Sequence, residues 1–338
     1  MVKYNNVVIL NWMKEWLARV GIGAFTLAWR ILRRVSSRPL PAKDHYYIMR
    51  FFRFFFRSYY VWIGYPNPLV HQRFLHLKVN LCENSQQWFF RQRGEYDLKE
   101  IRLIAEGMKD EESFVDIGSS VGVYALTVAQ AFPDKRVIAF EPLQANIDSL
   151  QSNIARNGLT NCLAYRKAIS TAGKAVRFYI NPIHDGGGSI IRPRVYKTGD
   201  VEINVDHYRE KHPGFQPWVE VETMLLDEVI SEKCVVKIDV EGAEVDVIRS
   251  GYDSLMKGLV GLIIIEVMKD TVDDVIQLMD ELQFDSFLLP DCVPITKGVR
   301  LPWFVRNIVC LKRTLRPTRT FHRGLDNIAG EKVRRSTN

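Results

Sequence analysis

Three acids stand where apolar runs end, and their spacing is the strongest chemical signal in the chain. Asp116 lies in Ser113-Phe-Val-Asp-Ile-Gly-Ser-Ser-Val-Gly-Val-Tyr124, Glu141 closes Arg136-Val-Ile-Ala-Phe-Glu-Pro142, and Asp239 closes Cys234-Val-Val-Lys-Ile-Asp239. A short apolar run bounded by turn residues reads as a buried strand. Ligands of open α/β sheets bind beyond the carboxyl ends of such strands. Gly118 and Gly122 allow a tight turn and a close approach of backbone to ligand. Glu141 is placed to accept two hydrogen bonds from the vicinal hydroxyls of a ribose.

Together these residues describe a site for an adenosine-bearing cofactor. The spacing Gly118-x-x-x-Gly122 lacks the Gly-x-Gly-x-x-Gly pattern that seats a pyrophosphate on a helix N-terminus. Asp116, beside that turn, would repel a diphosphate and attract an ammonium. The turn therefore reads as a site for S-adenosylmethionine (SAM), with an NAD-dependent oxidoreductase as the alternative. Asp116 would orient the methionine ammonium, while Gly118, Ser119, Ser120 and Gly122 offer backbone contacts. Asp116 and Glu141 also have a purely structural use, since an acid ahead of a helix caps its free N–H groups.

The acceptor side is expected at the loop after Cys234–Asp239, where Asp239, Glu241 and Glu244 gather. Methylating an alcohol needs an in-line oxygen about 3 Å from the methyl and a group to take the proton. Asp239 and Glu241 are candidates for that base, or for holding the acceptor hydroxyls; Glu244 alternatively partners a helix dipole. His184, in Asn181-Pro-Ile-His-Asp-Gly-Gly-Gly188, is a third candidate, on an insertion at 181–218 that reads as a substrate lid. Asn181-Pro-Ile-His184 is only distantly like the Asn/Asp-Pro-Pro-Tyr/Phe box of enzymes that methylate nucleobases. That box belongs after the fourth strand, so no nucleic-acid substrate is expected. Asp239 and Glu266 end neighbouring runs, but no compact ligand spacing calls for a metal.

The elements that must position these residues follow from periodicity. Beyond residue 113, strand-like and helix-like stretches alternate, the signature of a doubly wound, mostly parallel sheet. Strands are expected near 113–117, 136–140, 162–168, 234–239, 259–267, 284–289 and 307–311, with an edge strand near 175–180. Short strands are also expected at Phe74–Asn80 and Gln87–Arg91, ahead of a helix around 96–107. This catalytic domain spans 73–312. Residues 1–72 read as a basic, aromatic-rich helical extension, with helices over 7–35 and 45–62; Arg50, Arg53 and Arg57 share one stripe of the second. The longest uncharged run there, Val20 to Trp29, is too short to span a bilayer, and no secretory cleavage pattern follows it. Residues 313–338 read as a basic, disordered tail.

At 338 residues with 47% hydrophobic and 25% charged content, the chain suits one large core plus an accessory segment. Its 5 cysteines are scattered without a Cys-x-x-Cys pair, which argues against a disulfide framework or zinc and for a reducing cytosol. The formal charge of +7 is uneven: residues 1–80 carry +11, residues 311–338 carry +6, and the body between carries −10. An acidic body with basic ends is unlike a nucleic-acid channel. It suggests peripheral contact with an anionic membrane at its inner, cytoplasmic face, with packing of the N-terminal helices on the body or on a second copy as the alternative. A non-catalytic adaptor that keeps the fold is a further reading.

Across roughly residues 76–290 the chain resembles the FkbM family of SAM-dependent methyltransferases. The resemblance is carried by Asp116-Ile-Gly-Ser-Ser-Val-Gly-Val-Tyr124, Phe140-Glu-Pro142 and Lys237-Ile-Asp-Val-Glu-Gly-Ala-Glu244. It implies a class I methyltransferase fold, α/β with a seven-stranded sheet whose last strand is antiparallel. It also implies Pro142 beside Glu141 among the cofactor residues, and O-methylation of a hydroxyl on a sugar, lipid-linked glycan or small metabolite. Ser120 stands where the family more often has Asn, and Ser119 where a smaller residue is usual.

Overall fold

Ser113–Ile117 and Cys234–Ile238 are buried at every residue, as central strands covered on both faces must be. The computed structural model describes residues 60–80, 97–182, 188–198, 201–299 and 307–313. Contacts divide the chain into Met1–Tyr60 with Asn80–Cys82, and Val61–Val79 with Glu83–Asn338. Nearly all the described residues belong to the second unit.

In chain order the elements are β1 Tyr60–Pro66, β2 Phe74–Asn80, α1 Leu98–Gly107, β3 Ser113–Ile117, α2 Val123–Ala131, β4 Arg136–Phe140, α3 Gln144–Arg156, β5 Cys162–Tyr165, β6 Ala168–Ile169 and β7 Ala175–Tyr179. There follow β8 Val195–Thr198, β9 Val201–Asn204, α4 Val205–Lys211, β10 Trp218–Met224, α5 Leu226–Val229, β11 Cys234–Ile238, α6 Glu244–Ser250 and α7 Tyr252–Met256. The chain then adds β12 Val260–Glu266, α8 Val272–Glu281, β13 Phe284–Leu288, β14 Val293–Ile295 and β15 Asn307–Lys312.

The main sheet runs β14-β13-β15-β12-β11-β3-β4-β5. From β5 to β12 every pairing is parallel, and β15 inserts antiparallel between β12 and β13. This is the strand order of the class I methyltransferase fold, with one strand beyond the expected seven. The eighth, β14, pairs antiparallel with β13 at the sheet edge. The core between sheet and helices includes Val115, Val236, Ile248, Ile263, Val275 and Ile308.

Two further expectations are corrected. Residues 175–179 do not edge the main sheet: β7 pairs antiparallel with β10, which pairs parallel with β6, in a separate three-stranded sheet. Gly173, at φ 89, lies just ahead of β7. Residues 60–66, placed by periodicity within a helical extension, form β1 and pair with β2. Aromatic residues serve strands as readily as buried helices, and the available partner strand decides. The expected helices over 7–35 and 45–59, the strand at Gln87–Arg91 and the tail after 313 lie outside the described residues.

Asparagines on α3 tie the sheet's cover to the turn that matters. Asn157 Oδ1 accepts from His76 N at 2.8 Å and its Nδ2 donates to His76 O at 2.9 Å, docking β2 on the helix. One turn earlier, Asn153 Nδ2 donates to Val121 O at 2.9 Å. Val121 lies between the two glycines of the turn after β3, so a fully buried amide on α3 braces that turn from behind.

Candidate active site

The three acids converge because β4, β3 and β11 are neighbours and run in one direction. After β3 the chain turns sharply, and the turn is stitched to the end of β4: Gly118 N and Ser119 N both donate to Phe140 O at 2.9 Å. Gly122 N closes the turn on Ser119 O at 2.8 Å, and the Ser119 hydroxyl donates to Asp116 O at 2.7 Å. On the other side Asp239 N donates to Ile117 O at 3.0 Å. Gly118 adopts φ 83, and a Cβ there would collide with the Asp239 carbonyl oxygen. Glycine is required at this point both by φ and by contact.

Ser120 (φ 49) and Glu241 (φ 51) are also left-handed, a costly conformation for a non-glycine residue that clusters at ligand sites. One lies in each of the two loops that face each other here. Glu241 thus joins Asp239 in the loop after β11. His184 lies outside the described residues.

Each acid has a distinct environment. Glu141 is 5% exposed; Oε2 accepts from Ser120 N at 2.9 Å and Oε1 from Leu143 N at 2.8 Å. It therefore locks the turn and the entry to α3, and with the Asn146 side chain as a third partner it keeps about one of its roughly four lone-pair sites for a ligand. Burial pushes its carboxyl up to about 7, against the backbone N–H groups that favour the charged form. Pro142 follows, buried, and its carbonyl accepts from Arg166 Nε at 3.4 Å.

Asp116 is fully buried. Its Oδ2 accepts from Ala125 N at 3.2 Å in the first turn of α2, while Oδ1 has no hydrogen-bond partner. Burial raises its carboxyl above the usual range, Lys237 opposes that and Asp239 adds to it. Both structural and ligand-facing uses are thus present in one side chain: one oxygen caps a helix and the other is buried and unpaired. Glu244 is more committed. It is fully buried with Oε1 accepting from Gly242 N at 2.6 Å and Oε2 from the Thr271 hydroxyl at 2.8 Å, so it shapes the loop rather than facing a ligand.

The residue that spacing alone did not single out is Lys237. Its Cα stands in register with Asp116 on β3 and Ile264 on β12. Its Nζ lies 3.0 Å from Asp239 Oδ2 and 4.6 Å from the centroid of the Tyr124 ring. Burial alone would lower the ammonium, but Asp239, then Asp116 and Glu266, outweigh it and hold it above the ordinary lysine range. The sequence signal was available: one cation inside an otherwise apolar five-residue strand needs a buried partner.

These residues fit SAM. The buried Asp116 Oδ1 has no hydrogen-bond partner and is an acceptor suited to a cationic group, the turn from Gly118 to Gly122 follows it, and Glu141 keeps some acceptor capacity for a ribose hydroxyl. Among the described residues no group of three or more His, Cys, Asp or Glu side chains could hold a metal ion. The strand order and this site define a class I, SAM-dependent methyltransferase domain.

The chain belongs to the FkbM methyltransferase family: the model of the methyltransferase FkbM domain matches residues 116–286. SAM is the cofactor that membership implies. Methyltransferase 1 of Beauveria bassiana is 24% identical over 163 residues, spanning 47% of this chain and 65% of its own length. Methyltransferase sdnD of Sordaria araneosa is 25% identical over 177 residues, 45% of this chain and 64% of its own. The matches thus span just under two thirds of these two relatives. The hexuronic acid methyltransferase AglP of Haloferax volcanii is 26% identical over 196 residues, 57% of this chain and 71% of its own. Among solved structures, a precorrin-6y C5,15-methyltransferase from Geobacter metallireducens covers 64% of this chain and 89% of its own at 11% identity, with a TM-score of 0.36. The fold rests on strand order, not on that superposition.

Proposed function

We propose that the protein is a SAM-dependent O-methyltransferase whose acceptor is a hydroxyl of a glycan, glycolipid or secondary metabolite. The observation that carries this reading is the convergence of Asp116, Glu141 and Asp239 on three neighbouring parallel strands, two acids on the donor side and one on the acceptor side. Bound SAM supplies an electrophilic methyl. Glu141 holds its ribose, the turn from Gly118 to Gly122 contacts its amino-acid end, and Asp116 carries the charge that the ammonium meets. Asp239, with 27% of its side chain exposed, faces outward from β11 and takes the acceptor's proton or holds its hydroxyl. Glu241 shares that loop. His184 is a second candidate base. A sugar acceptor is supported by the name of the Haloferax relative, and a secondary metabolite remains within the same chemistry.

Calorimetric titration with SAM and S-adenosylhomocysteine tests the cofactor half. Glu141→Ala is expected to weaken binding by on the order of 1–3 kcal/mol, because the ribose loses its charged acceptor. The carboxylate form is the stronger acceptor. With its carboxyl near 7, the wild type is expected to bind S-adenosylhomocysteine about tenfold more weakly at pH 6 than at pH 8. Affinity that ignores both the substitution and the pH would end the assignment of Glu141. The acceptor is sought by mass spectrometry of envelope glycans and metabolites from a deletion strain, as the loss of one methylene unit of mass.

Among the described residues no helix is long and apolar enough to cross a membrane. The basic ends support a peripheral position on an anionic surface. The full chain is therefore expected to co-sediment with phosphatidylglycerol vesicles and to release in high salt; equal recovery with neutral vesicles would remove that part of the reading.

A further inference from the structure

A buried ion pair is weak evidence for stability, since apolar residues of similar volume often do as well. Lys237, with 7% of its side chain exposed in the middle of a central strand, therefore calls for a role beyond holding the sheet together. Its contacts suggest one. Nζ grips Asp239 Oδ2 at 3.0 Å, and the Tyr124 ring closes one side of the ammonium. Tyr124 is itself fixed, its hydroxyl donating to Asp97 Oδ2 at 2.7 Å. The charges that face Lys237 are Asp116 from β3, Asp239 at the end of its own strand and Glu266 from β12. Those that face Asp239 are Asp116, Glu141 beyond β4 and Glu244 on α6, besides Lys237 itself. Oδ1 of Asp239 accepts from no described residue.

We propose that Lys237 is a positioning residue that ties down Asp239 through Oδ2 and so presents Oδ1 to the acceptor hydroxyl. The proposal rests on the methyltransferase reading. In the step it serves, the hydroxyl oxygen bonds to the methyl carbon and the carbon–sulfur bond breaks with its electron pair going to sulfur. The hydroxyl proton passes to Asp239 Oδ1, and Lys237 gains and loses nothing. A carboxylate with one oxygen tethered samples fewer rotamers, which keeps the other oxygen aligned for proton transfer.

Carbon-13 NMR of labelled aspartate carboxyls tests this without an acceptor, the Asp239 signal being assigned by its loss in Asp239→Asn. In Lys237→Gln at neutral pH the Asp239 carboxyl signal is expected to move and broaden as the side chain leaves its single tethered position, and in Lys237→Arg to return most of the way to the wild-type signal. Should Lys237→Gln fail to fold, Asp116→Asn/Lys237→Gln is compared with Asp116→Asn alone; removing the second buried acid relieves the uncompensated charge. An Asp239 signal unchanged in position and width on loss of Lys237, in either comparison, overturns the proposal. Calorimetry with S-adenosylhomocysteine on the wild type stands apart: no binding there would overturn the methyltransferase reading, and the catalytic purpose of the pair with it, while leaving the measured tether as found.

Discussion

Gly118→Ala is expected to remove measurable binding of S-adenosylhomocysteine and to lower the melting temperature by roughly 6–12 °C, the equivalent of about 3 kcal/mol in a domain of this size. Two separate causes add at this residue. The first is φ 83, where a Cβ costs on the order of 1 kcal/mol. The second is steric: the new Cβ meets the carbonyl oxygen of Asp239, which is backbone and has no rotamer to retreat into. Either β11's loop or the turn must move, and both belong to the proposed site. Gly173→Ala is the control. It has a similar φ of 89 with no atom within 4 Å of the added carbon, so only the first cost applies. Equal destabilisation by the two substitutions, measured by thermal and urea unfolding, would show that the close approach of β3's turn to Asp239 is not present in solution.

Lys237→Met is expected to destabilise the fold by roughly 3–5 kcal/mol at neutral pH, the usual cost of breaking a buried ion pair from one side. The methionine fills the space, but Asp116 is fully buried and loses the cation that opposes its burial. The pH dependence has a definite sign. Lys237 is raised above its unfolded value, so its contribution is complete below the unfolded lysine range and is lost only as pH climbs through the folded one. Asp116 is likewise raised, so the fold favours its protonated form, and its ionisation opposes folding as pH climbs out of the acid range. The deficit of Lys237→Met is therefore largest at neutral pH and shrinks on acidification, as Asp116 takes up a proton. Lys237→Met/Asp116→Asn should recover much of the loss. A double-mutant cycle in urea that shows the two changes to be additive would rule out their coupling.

Glu141 and Glu244 illustrate why an acid between a strand and the helix that follows is ambiguous from sequence. Both are buried and both accept backbone N–H groups. Glu141 braces the glycine turn through Ser120 N, whereas Glu244 spends its second oxygen on Thr271. Thr271 is 27 residues away along the chain, and no local pattern around Glu244 announces it.

The amino-acid sequence by itself determined the features that depend on neighbours along the chain. The apolar runs at 113–117, 136–140 and 234–238 became strands because continuous burial needs them. The glycine turn formed because only glycine tolerates Gly118's conformation, and the alternation of strands and helices set a doubly wound sheet. Tertiary structure alone decided the pairings. It placed β7 with β10 rather than at the edge of the main sheet, added β14 as an eighth strand, and drew residues 60–66 into β1 through β2. It also brought Lys237 to Asp116, a meeting fixed by the register of β3 against β11, whose residues are more than a hundred positions apart. Pairing between distant strands is set by the packing of whole faces, and that information is spread across the chain rather than written at any one position.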